Sequence, residues 1–231
     1  MAIYAISDLH LSFNTNKPMD IFGWDGYEDK IRENWINEIT ENDLVLLPGD
    51  FSWEMKLEDT YKDFEFIHNL PGKKLLLKGN HDLWWTSLKK MREYILNLGY
   101  EDIDFLYNNS YEYENKIICG TRGWTFLDNS EDAKKILRRE ALRLEMSIKD
   151  GITKYGDDKE IIIMMHYPPV VKDNIDNLFT DILKQYNVKT CIYGHLHGAA
   201  HKSVVSGDIE GINYIMVSCD YTKFNVIKIS K

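Results

Sequence analysis

The sequence predicts an α/β fold built as a layered sandwich, and three observations carry that prediction. Short apolar, β-rich runs recur along the chain, helical periods separate several of them, and from Lys189 onward strands crowd together without helices. A chain of 231 residues that is 44% hydrophobic can bury a full core, and α/β domains commonly reach this length as one unit. One domain over residues 1–231 is therefore expected. No repeat, low-complexity tract or Pro/Gly/Ser linker marks a boundary.

In chain order, MAIYAIS reads as the first strand, followed by a long loop over 11–26 whose Asn, Pro and Gly fit a lid or simply a mobile segment. A helical period covers 28–39. The run DLVLLP from Asp43 is the second strand, 57–70 the next helix, and KKLLLK from Lys73 the third strand. A helix is expected over 85–98 and a strand at KIIC from Lys116. The helix over 130–149 is the clearest. Ala133, Leu137, Ala141, Leu144 and Ile148 form its apolar stripe, Ser130 suits the N-cap, and Glu131 and Asp132 suit the first turn. Strands follow at EIIIMM from Glu160, KTCIY from Lys189, NYIMVS from Asn213 and FNVIKI from Phe224. Alternating strands and helices imply parallel βαβ units in the first part, and the closely spaced final strands imply antiparallel pairing.

Composition narrows the function. A net charge of −9 opposes broad electrostatic binding to nucleic acid or anionic lipid, so an anionic substrate needs a local positive site. Cys119, Cys191 and Cys219 are odd in number and sit in apolar contexts, as buried thiols in a reducing compartment would. The first residues lack a basic region and no segment approaches eighteen apolar residues, so a cytoplasmic location is expected. Nucleophile motifs of other chemistries are missing: no G-x-S-x-G elbow, no G-x-x-x-x-G-K-S/T loop, and no Cys six positions before an Arg.

The residues just after the strands carry the chemistry. Asp8 and His10 follow the first, Gly49 and Asp50 the second, and Gly79-Asn80-His81-Asp82 the third; His166 follows EIIIMM, and Gly194-His195-Leu196-His197-Gly198 follow KTCIY. Ligands of open α/β sheets bind beyond the carboxyl ends of the strands, so these distant segments can converge on one crevice. Each piece alone is ordinary turn chemistry. Turn chemistry gives no reason for metal-ligand side chains at five strand ends. His68 and His201 fall outside this pattern and read as surface or packing residues, with His201 the nearer to the site; Trp84 and Trp85 read as core or rim.

In that order the motifs D-x-H, G-D, G-N-H-D, lone His and G-H-x-H resemble the calcineurin-like metallophosphoesterase family, over nearly the whole chain. The resemblance implies an α/β/β/α sandwich of two mixed sheets with flanking helices. It implies a hydrolase acting on a phosphate mono- or diester, probed as phosphatase or phosphodiesterase, by in-line attack of a metal-bridging hydroxide. By the same similarity Asp8, His10, Asp50 and His197 hold one metal, and Asp50, Asn80, His166 and His195 the second. His81 is then left to assist the leaving group, with Asp82 beside it, and Arg122 is a further candidate contact to phosphate. Imidazole and carboxylate donors suit Mn, Fe, Zn, Co or Ni, and the lack of a motif cysteine argues against a structural zinc cage. The expected substrate is a small phosphoester. A two-metal nuclease and a non-catalytic protein-binding scaffold are the alternatives; a scaffold would be expected to have lost a ligand, and none is missing.

One position departs from the family pattern. Where many members carry an acid or His that orients the catalytic imidazole, this chain has Trp53, in Gly49-Asp50-Phe51-Ser52-Trp53-Glu54. Either Glu54 or Asp82 takes that role, or His81 works unassisted.

Overall fold

Apolar runs buried on both faces form the centre of the molecule, as parallel strands require. The computed structural model describes residues 1–15, 17–172 and 174–230; Asn16, in the loop expected over 11–26, lies outside the described residues. One sheet contains β1 (Ile3–Ala5), β2 (Leu44–Leu47), β3 (Lys73–Leu77), β4 (Ile103–Leu106) and, antiparallel beside β1, β11 (Ile227–Ser230), in the order β11-β1-β2-β3-β4. The second contains β5 (Tyr111–Tyr113), β6 (Lys116–Thr121), β7 (Glu160–Met165), β8 (Val188–Tyr193), β9 (Gly207–Ile209) and β10 (Ile212–Met216), in the order β5-β6-β7-β8-β10-β9. Both sheets are mixed.

Strand alternation sends successive side chains to two separate cores. Leu46, Leu75, Leu77, Ile162, Met164 and Ile192 meet between the sheets, while Val45, Leu47 and Leu76 face outward on the first sheet. That outer face is covered by Ile31 and Trp35 of α1 (Tyr27–Glu38), Phe64 and Ile67 of α2 (Tyr61–His68), and Met91 and Ile95 of α3 (Leu88–Asn97). On the second sheet, Leu144 and Ile148 of α4 (Glu131–Tyr155) and Phe179 and Leu183 of α5 (Leu178–Leu183) do the same. The layers run α/β/β/α, as expected.

Several details differ from the sequence reading. The strands β4, β5 and β9 are additions to it, because IDFL, YEY and GDI are short and interrupted by charge or glycine. The six-residue α5 is another; its helical period is too short to register, although Asn177 and Thr180 form a capping box. Antiparallel pairing near the C-terminus holds for β9 with β10 and for β11 with β1, but β10 lies parallel to β8 because β9 takes the sheet edge. The helix expected over 57–70 is a 3₁₀ turn, Leu57–Thr60, running into α2. Ser130 caps α4 as expected, accepting from the Ala133 N–H.

The topology places the motif segments on one edge. Strands β1, β2 and β3 run parallel in one sheet and β7 and β8 in the other, so their carboxyl ends emerge together. Backbone bonds then stitch the two sheets just beyond β1 and β10: the Ser7 N–H donates to Val217 O (2.8 Å) and the Cys219 N–H to Ser7 O (3.0 Å). No helix of the described residues is long and apolar enough to cross a membrane, and all three cysteines are free and buried.

Candidate metal centre

The site begins with backbone that only tertiary support can hold. Asp8, His10, Asp50 and His195 all have positive φ, at 60°, 46°, 50° and 74°. Residues with a Cβ adopt that region sparingly, and a cluster of them at one spot is a mark of function. Gly79 contributes differently from the tight turn expected of it. Its φ is not positive; instead a Cβ there would collide with the Asp50 carboxylate and backbone, so glycine lets the G-N-H-D loop lie directly on Asp50.

Asp82 joins the two loops. Its Oδ2 accepts from the N–H groups of Asp50 (2.9 Å) and Gly79 (2.7 Å), and its Oδ1 from Phe51 N–H (2.9 Å), Ser52 N–H (3.3 Å) and Trp84 Nε1 (3.1 Å). Complete burial raises its carboxyl to about 6 against the pull of those donors. With both oxygens taken, Asp82 clamps loops rather than facing the His81 ring. Glu54 is buried too, with Oε1 unpartnered, and burial pushes its carboxyl up. Among the described residues neither carboxylate bonds to that ring. Trp53 packs on it instead, at 4.4 Å between ring centroids, and stacks on His10 at 4.6 Å. His81 is therefore steered by an aromatic face, which the departure at Trp53 left open.

The predicted ligands come together in two groups. Asp8, His10 and His197 offer ligand atoms all within 4.8 Å of one another, and so do Asp50, His166 and His195. Asp50 lies between them: its Oδ2 is 3.4 Å from His166 Nε2 and 3.8 Å from His10 Nε2, while Oδ1 accepts from the His81 N–H at 2.7 Å. Asn80 Oδ1 stands 2.7 Å from His166 Nε2, on the Asp50 side. The seven residues predicted as ligands thus form two neighbouring groups, linked through Asp50, with Asn80 beside His166.

Donor chemistry tests whether cations fit there. His166 Nδ1 is 3.0 Å from Pro48 O, which makes Nδ1 the protonated nitrogen and leaves Nε2 with a lone pair aimed at Asn80 Oδ1. A lone pair from each at that separation suits a cation placed between them. His197 Nδ1 is tied to Asp220 Oδ1 at 2.9 Å, and its Nε2 is buried without a hydrogen bond, 3.3 Å from Asp8 Oδ1. His10 presents its Nε2 to the Asp50 carboxylate, 3.8 Å from Oδ2. The residues present fit a pair of metal ions.

Electrostatics give the same reading. Burial pushes His10 and His166 down to about 3 and His195 to about 4, so all three are neutral ligands at pH 7. For Asp8, burial works upward but is outweighed by His197, His166 and His10, which hold the carboxyl well below its ordinary range. Burial and the charges of Asp8 and Asp82 push Asp50 well up. Burial lowers His197, yet Asp220 and Asp8 overcome it and carry the ring up to about 10. The protonated His197 ring balances these carboxylates, a role that a cation bound in its place would take over with release of that proton.

Some functional residues lie outside the motif pattern. Asp220 orients His197 and accepts from the Gly198 N–H (3.1 Å), and the hydroxyls of Ser7 and Ser218 donate to Asp8 Oδ2. Asp220 carried a signal, since it follows NYIMVS, a sixth strand end with a carboxylate. His201 borders the site through Asp220, 3.2 Å from Oδ2, whereas His68 stacks on Tyr100 and sits 2.6 Å from Asp102. Trp84 and Trp85 are core residues, as expected. Among the described residues Arg122 makes no ion pair or side-chain hydrogen bond to the two ligand groups; it lines a cavity with Lys78, its guanidinium over the Trp124 ring at 4.9 Å.

Known proteins of the same architecture cover almost the whole chain. TT1561 of Thermus thermophilus superposes with a TM-score of 0.60 at 11% identity, covering 99% of this chain and 97% of its own. Phosphopantetheinyl hydrolase from Mycobacterium tuberculosis gives 0.56 at 13%, covering 99% and 95%, and AQ665 of Aquifex aeolicus, a protein of unknown function, 0.51 at 18%, covering 98% and 95%. No curated protein matches the chain. At such identities the structures establish the fold alone. The family model described as calcineurin-like phosphoesterase matches residues 1–199, a span that holds every ligand anticipated from the motifs, and the chain belongs to that family.

Proposed function

We propose that the protein is a metal-dependent phosphoesterase, one metallophosphoesterase domain over residues 1–231, that hydrolyses a phosphate mono- or diester of a small molecule. The observation that carries this reading is Asp50 Oδ2, one carboxylate oxygen facing a ligand nitrogen of each His/Asp group at 3.4 and 3.8 Å. Asp8, His10, Asp50 and His197 would hold one ion, and Asp50, Asn80, His166 and His195 the other. Mn, Fe, Zn, Co or Ni all suit this nitrogen and oxygen set. When bound, two such ions supply the positive charge that draws in and polarises a phosphoryl group and lowers the pKa of water.

The chain's own residues set the geometry. Pro48 O and Asp220 fix the ring orientation of His166 and His197, and Asp82 fixes the loops that bear Asp50 and Asn80. His81 is half-buried, with no carboxylate partner, and burial together with His197 and Lys17 pushes it below its ordinary range against the pull of Asp8. The ring held by Trp53 can present an N–H to the leaving oxygen of the ester. The neutral imidazole stabilises the developing charge by a hydrogen bond and only its imidazolium form transfers a proton, which makes His81 the residue that assists the leaving group and Asp82 a positioning residue.

Protein loaded with Mn²⁺ is expected to release nitrophenol from para-nitrophenyl phosphate or its bis-ester, and Asp50→Asn to abolish release. His81→Ala is expected to keep its bound ions and lower kcat by roughly 10²–10⁴-fold. Turnover by the wild type no faster than by Asp50→Asn would end this proposal.

A further inference from the structure

One strand over from the ligand groups, a cavity of about 220 Å³ opens between the ends of β3, β4 and β6. Its lining has the opposite charge to the rest of the molecule. Lys78, Arg122, Arg139 and Arg143 face it against a single carboxylate, Glu140, in a chain of net charge −9. Glu140 is buried and already engaged: it accepts from Arg143 (2.7 Å), Arg139 (3.3 Å) and the Thr121 hydroxyl (2.7 Å). It therefore acts as an anchor that aims two guanidinium groups and offsets one of the four charges.

The other two cations are held in no salt bridge among the described residues, although Asp82 and Glu140 act on Lys78 from a distance. Among the described residues Lys78 and Arg122 form no ion pair and no side-chain hydrogen bond, and both are half-buried. Unpaired cations held together in a recess repel one another and lose hydration, a cost that an anion of two charges would offset. The recess also adjoins the metal centre along the chain. Lys78 immediately precedes Gly79 and Asn80, and Arg122 O accepts from the N–H of Tyr167, next to His166 (2.9 Å).

We propose that this recess is an anion subsite for a second phosphate of the substrate, so that the preferred esters carry a phosphate or pyrophosphate group beyond the one hydrolysed. The inference rests on the phosphoesterase reading for its role in turnover. Its ligand chemistry, arginine and lysine around a tetrahedral anion, stands separately.

Two measurements separate the claims. In the first, inorganic pyrophosphate is titrated calorimetrically into the full chain carrying Asp50→Asn, which disables the metal centre. One saturable site is expected at about 0.15 M salt, weakened about tenfold or more by adding Arg143→Gln or Lys78→Ala, for the loss of one charge-assisted contact. Because Arg143 also holds Glu140, Arg143→Lys is included and should recover part of the affinity. No binding in the parent, or equal binding in both charge-removing variants, overturns the subsite. In the second, the Mn²⁺-loaded wild type is expected to prefer adenosine 3′,5′-bisphosphate over adenosine 3′-phosphate in kcat/KM, and the same substitutions to bring that ratio toward one. Pyrophosphate binding without turnover of either nucleotide or of the nitrophenyl esters would keep the subsite and discard the phosphoesterase reading; turnover without any preference would discard the subsite's role.

Discussion

Asp220 shows how one side chain outside the matched family span controls the centre. It pins His197 Nδ1, so that Nε2 points at Asp8. Asp220→Asn is expected to weaken metal binding at the Asp8 group by about 10–100-fold, measured by competition with a chromophoric chelator, and an unchanged affinity would show that the contact is incidental. Asp63 governs stability rather than chemistry. It is fully buried, accepts from the Phe13 N–H (3.0 Å) and the Ser52 hydroxyl, and burial raises its carboxyl to about 6. An acid whose folded pKa lies above its unfolded value stabilises the fold at low pH and loses that contribution as pH climbs through the interval, here from about 4 to about 6. Asp63→Asn should remove this dependence. The melting temperature of the variant relative to wild type is expected to rise between about pH 4 and about pH 6 and then level off; a difference constant with pH would contradict the assignment. The candidate ligand residues were legible in the motifs because their place directly after strands is a local property of the chain. Asp220, Ser7 and Ser218 were harder to read, because what they touch is set by strand pairing.

Among the elements, α4 was the easiest to read and the most consequential for the second sheet. Its stripe packs Leu144 and Ile148, neither of them exposed to solvent, against Ile117, Ile161 and Ile163. Leu144→Ala is expected to cost about 2–5 kcal/mol in chemical denaturation, through lost burial and a cavity that a rigid sheet cannot close. A cost under about 1 kcal/mol would mean that the helix relaxes onto the sheet, contrary to the tight packing described. The helix also runs beyond residue 149, to Tyr155, passing through Gly151. A Cβ at Gly151 would stand 2.5 Å from the Ile117 side chain, so this glycine brings helix and strand close together and does not end the helix. Sequence periodicity has no access to that distance.

At the scale of the whole molecule, the two sheets meet where the ligand groups lie, and cations bound there would tie both together. Binding that favours the folded state stabilises it by about 3 kcal/mol per site when free metal exceeds its Kd about a hundredfold. Addition of Mn²⁺ to chelator-treated protein is expected to raise the melting temperature by several degrees, roughly 2–4 °C per kcal/mol at this size, and EDTA to reverse the rise. Asp50→Asn should lose most of the increment, since it serves both groups. An equal rise in wild type and variant would place the binding elsewhere.

The layer architecture, most of the strands and helices, and the seven candidate ligand residues are all written in the linear chain. Apolar periodicity and strand-end chemistry are local properties, readable without knowing which strands adjoin. Folding in three dimensions was needed to establish that Trp53 steers His81, that Asp82 is spent on backbone donors, that Asp220 backs His197, and that four scattered cations share one recess. Each of those depends on the order and separation of strands distant in the chain, and side-chain distances across a sandwich are fixed by packing that no linear spacing encodes.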